Sequence, residues 1–210
     1  MSQNHWACSA LRPDGSVSAC YGVNSSRFAD RERVTLPEVD AIDAIGDDAV
    51  CVVRIDERGR ARAIEVAARL APSLPAVWWA ELPEHEGKPP AVNLLAFVGH
   101  GVEPSSLLTR EELREVPVES NDQLGALRWY PGTGEVDQVY VAPHARRRHV
   151  ATALIAAGGT LTASRGWASF WSDGQRTAEG NRLVEAHPLW SHRAGELTHL
   201  APPMTPFDER

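Results

Sequence analysis

With 210 residues, 43% of them hydrophobic and 23% charged, the chain is long enough to bury one ample core, or one core with a modest appendage. A formal net charge of -7 argues against broad electrostatic binding to nucleic acid, and no apolar run is long enough to span a bilayer. The chain does not open on the basic segment and apolar stretch of a signal peptide, so a cytoplasmic protein without membrane partners is expected.

In chain order, residues 5–11 and 16–21 flank Pro13, Asp14 and Gly15, a turn signal that folds them into a hairpin. Register about Asp14 sets Cys8 opposite Cys20, within reach of a disulfide. In a reducing compartment the expectation is two thiols. Thr35, Leu36, Pro37 and Glu38 open a short helix closed by Gly46, with Val39, Ile42 and Ile45 on one face. Residues 49–55 read as a strand that carries Cys51 into the core, and 56–59 as a turn. Residues 61–70 fit either a paired strand or an alanine-rich helix. Strands follow at 77–82 and 91–98 around a Pro/Gly-rich loop, and Thr109 with Glu112 makes a capping box for a helix to about Val116.

From residue 124 the pattern sharpens. Residues 124–130 and 136–141 form a hairpin about Pro131, Gly132, Thr133 and Gly134. Val139 and Val141 alternate as in a half-buried strand, Pro143 ends its pairing, and Ala151, Ala153, Leu154, Ala156 and Ala157 begin a helix. The turn between carries Arg146, Arg147 and Arg148. Backbone N–H groups at a helix start suit a phosphate, and three guanidinium groups add charge there, so a pyrophosphate would fit. Arg165 and Gly166 stop the helix. A short aromatic strand is expected at 167–171, a turn at Ser172, Asp173 and Gly174, and a last helix at 177–186 before Pro188.

This run resembles the GNAT acyltransferase superfamily, whose motif reads Val-x-Pro-x-x, Arg or Gln, x-x-Gly-x-Gly or Ala, then Leu. Val141, Pro143, Arg146, Ala151 and Leu154 fall on those positions. His149 stands where the first glycine belongs and must keep its Cβ clear of a ligand or offer its own N–H. The likeness covers residues 120–190. It implies an α/β fold with a central mixed sheet flanked by helices, here with an N-terminal α/β elaboration over 1–118, a core at 119–190 and a proline-rich tail at 191–210. It also implies acetyl-CoA as acyl donor and an amine, small-molecule or protein, as acceptor. The resemblance assigns the cofactor to Val139, Val141, Arg146, Arg147, Arg148, His149, Val150, Ala151 and Thr152.

Acyl transfer to an amine needs a base to take its proton. Glu135 lies near where several members carry a glutamate, and Asp137, two residues on, would share its face. The pair can equally attract a cationic substrate or sit exposed at the hairpin rim. Many members protonate the leaving thiolate with a tyrosine in the last helix, but Val184 occupies that position, which leaves Ser172 or water as the acid. Of Trp78, Trp79, Trp129 and Trp171, one is expected to meet substrate. Two function classes remain, an acyl-CoA-dependent N-acyltransferase and a non-catalytic module that binds acyl-CoA or serves in an assembly. The exposed hairpins could pair two copies of the chain across a two-fold axis.

Overall fold

The computed structural model describes residues 5–11, 17–23, 29, 32–36, 49–186 and 193–201. Ten strands form two five-stranded sheets. The first contains β1 (His5–Leu11), β2 (Val17–Val23), β3 (Arg33–Leu36), β4 (Ala49–Ile55) and β5 (Ala61–Val66) in the order β3-β1-β2-β4-β5. The second contains β6 (Trp78–Glu84), β7 (Ala91–Phe97), β8 (Leu107–Leu108), β9 (Gln123–Trp129) and β10 (Val136–Val141) in the order β10-β9-β7-β6-β8. Both sheets are mixed, because β1 with β3 and β6 with β8 run parallel while the other pairs run antiparallel. Among the described residues the helices are α1 (Arg110–Arg114), α2 (Val150–Ser164) and α3 (Ala178–Ala186). A short parallel pair, β11 (Gln175–Arg176) and β12 (His199–Leu200), follows. This is an α+β molecule rich in strand. Among the described residues no helix is long and apolar enough to cross a membrane.

The two sheets enclose α2, which touches β2, β4 and β5 of the first and β7, β9 and β10 of the second. A helix covered on both sides needs small, apolar residues all round, not a single stripe. Its sequence supplies them, and Ala153, Ala156, Ala157, Gly158 and Leu161 are all buried. The arrangement therefore differs from the expected sheet flanked by helices, since here the principal helix is flanked by sheets. Segment 105–107 joins the two layers. Ile64 N–H donates to Ser105 O at 2.8 Å and Trp79 N–H to Ser106 O at 2.8 Å. Of the strands before residue 118, β6, β7 and β8 share the sheet that carries β9 and β10, and β1 to β5 make the other sheet.

Several local expectations hold. The hairpin register sets Cys8 on Cys20, β4 spans Ala49–Ile55, and Thr109 and Glu112 cap α1 reciprocally. Residues 61–66 resolve to strand, because the edge beside β4 offers a backbone ladder to six residues that are too few for a free-standing helix. Other expectations are corrected. Cys8 and Cys20 form a disulfide and not two thiols; both are buried at directly opposed positions, a separation that the bond requires. Thr35 and Leu36 lie in β3, paired parallel to β1; the rest of the helix expected up to Gly46 falls on residues 37–46, outside the described residues, as do the turn at 13–15 and Pro188. Segment 167–171 makes no ladder among the described residues. It contributes only the parallel bridge of Trp171 to Glu135.

The end of α2 is tied down strongly. Arg165 grips Glu81 of β6 with both nitrogens, Nη2 to Oε2 at 2.7 Å, and its guanidinium lies 4.7 Å from the Trp167 ring centroid. From the first sheet, Arg33 Nη2 donates to Trp167 O at 3.2 Å. These ties fix the start of the segment that returns toward β10.

Candidate functional site

The site begins at a pinch. Val136 N–H donates to Trp171 O at 2.9 Å and Trp171 N–H to Gly134 O at 3.1 Å, so the returning segment runs parallel to the start of β10. Gly134 permits the approach, with φ of +77° and the Ser169 carbonyl where a Cβ would stand. Beyond the pinch the two segments part. Ser172 pairs with Ala194 instead, and the outer edge of β10 has no strand partner among the described residues. Ala142 N–H donates inward to Leu124 O at 2.9 Å, so strand alternation turns the N–H and C=O groups of Val139 and Val141 to that open edge.

A cleft follows the edge in two connected parts, sharing Val139, Thr177, Gly180 and Leu183. The outer part, about 480 Å³, ends on the turn before α2 and on the first turn of that helix. The inner part, about 310 Å³, lies nearer the pinch, against Phe170, Trp171 and Val184. Helix α3 is the facing wall of both, capped by the Thr177 hydroxyl, which accepts from Gly180 N–H at 3.1 Å. Gly125 of β9 brings α2 close to the strands, since a Cβ there would lie 2.6 Å from Tyr140 O and 3.1 Å from Val150 Cγ1.

Of the residues read as cofactor-binding, Val139, Val141, Arg146, Arg147, His149, Val150, Ala151 and Thr152 line the outer part. Arg148 does not. Arg147 and His149 take left-handed φ values of 60° and 58°, an alternation that turns successive N–H groups toward one concave side. His149 therefore adopts the backbone shape that glycine would supply. Its ring is held aside by a 2.7 Å hydrogen bond between Nδ1 and Ser73 Oγ. The N–H groups of Val150 and Ala151, in the first helical turn, have no acceptor further back in the helix. Among the described residues, Arg182 of α3 adds a third cation to the outer part and Glu179 its only acid.

The proposed acid–base residues separate. Asp137 and Ser172 both line the inner part, while Glu135 lines neither. The shared face expected for Glu135 and Asp137 is lost to a register shift between Val136 and Gln138, which inserts Asp137 as an extra residue. Asp137 Oδ2 forms an ion pair with Arg128 Nε at 3.0 Å, and Arg128 Nη1 donates to Glu84 Oε2 at 2.6 Å. The Arg128 hydrogen bond, aided by Asn93, holds the Glu84 carboxyl below its usual range. Ser172 is held by its backbone, its N–H on Arg193 O at 3.2 Å.

Of the four tryptophans, Trp78, Trp79 and Trp129 are core, and Trp171 is 42% exposed at the inner cleft. Arg176 and Arg193 also line the inner part. Sequence reading missed them and Arg182, because lone arginines in a turn, a tail and a helix carry no spacing signal. No family model, curated protein or solved structure matches this chain.

Proposed function

We propose that the chain is an acyl-CoA-dependent N-acyltransferase of GNAT type, with acetyl-CoA as donor and an amine as acceptor. The observation that carries this reading is the cleft, which runs along an unpaired strand edge to a helix N-terminus lined by Arg146 and Arg147. A pantetheine arm is an extended chain with two amides, which suits the outward N–H and C=O groups of Val139 and Val141. A pyrophosphate suits the concave turn and its arginines. The thioester would then reach the inner part. There the amine nitrogen attacks the carbonyl carbon, the C–S bond breaks, the amine gives up one proton and the thiolate takes one up. Asp137 and Ser172 border that space as the base and the acid.

A non-catalytic acyl-CoA-binding module is the second reading, favoured by one observation. Val184 lines the inner cleft at the position of the family's tyrosine and has no proton to give.

Calorimetric titration with acetyl-CoA tests the binding half. Saturable binding is expected in the wild type, weakened on the order of a hundredfold in the Arg146→Ala, Arg147→Ala double variant by loss of two charge-assisted contacts. Equal affinity in both would sink the cradle. Thiol release from acetyl-CoA with a panel of amines separates the two readings, since binding without release leaves the module.

A further inference from the structure

Among the described residues, the inner cleft is lined by more positive than negative charge. Its described ionisable side chains are Asp137, Arg176 and Arg193. The one carboxylate among these described groups, Asp137, is already paired with Arg128 of the neighbouring strand. Arg176 spends Nη1 on Gly195 O at 3.0 Å, while its Nε is buried with no acceptor among the described residues. Arg193 makes no ion pair among the described residues, and its backbone carbonyl holds Ser172 in place. A buried guanidinium N–H without an acceptor is costly, and a ligand oxygen relieves that cost. The other described walls combine apolar side chains, including Val136, Val139, Phe170, Leu183 and Val184, with the neutral polar groups of Gln138, Ser172, Gln175 and Thr177. A space of about 310 Å³ with these walls and two guanidinium groups suits a small molecule with an apolar body and one carboxylate, and disfavours a cationic amine without an acid group.

We infer that the inner cleft binds a carboxylate-bearing ligand through Arg176 and Arg193. Resting on the acyl-transfer reading, this makes the substrate either an amine that carries a carboxylate, such as an α-amino acid, or an acyl thioester with a second, free carboxylate. In both cases the bond changes are those of ordinary acyl transfer, and the carboxylate itself does not react.

Binding tests this without turnover. Calorimetric titration of the full chain with N-acetyl-L-leucine and with N-acetyl-L-leucinamide compares one apolar body with and without the charge. The acid is expected to bind at least about tenfold more tightly, and Arg193→Gln to remove that preference while the melting curve stays cooperative. Arg176→Lys is the second variant, expected to weaken the acid because one ammonium cannot reproduce the guanidinium fork. Equal binding of acid and amide, no binding of the acid at millimolar concentration, or an acid preference untouched in folded Arg193→Gln and Arg176→Lys would each overturn the inference. Thiol release distinguishes the sources: leucine with acetyl-CoA places the carboxylate on the acceptor, leucinamide with succinyl-CoA on the acyl group. If the acid binds as expected and neither pair releases thiol, the carboxylate site stands and the acyltransferase reading falls.

Discussion

Cys51 sits at the centre of β4, where burial pushes its thiol up to about 12. Charging it inside the core is the costly step. An unfolded chain releases that proton near pH 9 and the folded chain holds it, so stability is undiminished below about pH 9 and declines as pH rises toward 12. The loss is on the order of 4 kcal/mol over that window. Urea unfolding between pH 8.5 and 11 should show this slope in the wild type and a shallower one in Cys51→Ala. Gly134 is a second residue whose surroundings decide its role. Alanine there meets a left-handed φ and the Ser169 carbonyl together, and Gly134→Ala should cost roughly 2–4 kcal/mol and open the pinch. Thermal melting and acetyl-CoA titration would read the two effects separately, and unchanged binding in the folded variant would show that the pinch does not shape the cleft.

Among the elements, α2 is the most demanding, because both of its sides are covered. Gly158 and Gly159 are adjacent in it and identical in type, yet a Cβ at Gly158 would run into Leu127 and Phe170, whereas one at Gly159 meets nothing within 4 Å. Gly159→Ala should therefore stabilise by about 0.5–1 kcal/mol through helix propensity alone. Gly158→Ala should destabilise by roughly 1–3 kcal/mol through overpacking. Opposite shifts in urea midpoint are expected, and equal shifts would contradict the close approach of β9. The site elements follow similar logic. Sequence places Arg146 and Arg147 at a helix start, but the opposing wall of α3 and the Arg182 it carries come from packing.

Across the whole molecule, the disulfide and the enclosed helix shape the stability. The Cys8–Cys20 bridge closes a short loop in the first sheet, and opening it should cost about 3 kcal/mol. Reduction should lower the melting temperature without abolishing acetyl-CoA binding, because the cleft lies along the far edge of the second sheet. Thiol titration supplies the check. Of three cysteines, the unreduced chain should react at one when denatured and at none rapidly when native, since Cys51 is buried; two or more fast thiols would mean that the bridge is absent.

Features that depend on neighbours along the chain were legible from the residues alone. Alternating valines made β4 and β10, Thr109 and Glu112 made a cap, and Pro143 with an alanine run set a helix start behind three arginines, so the outer half of the cleft was legible. These features arise from backbone sterics and contacts within a few residues. The strand at 61–66, the bulge that parts Asp137 from Glu135, the enclosure of α2 between two sheets, and the meeting of Arg176, Arg193 and Trp171 at the inner cleft came instead from long-range packing. Each of those depends on which distant segments share a wall, and that is settled by burying a common core rather than by any local pattern.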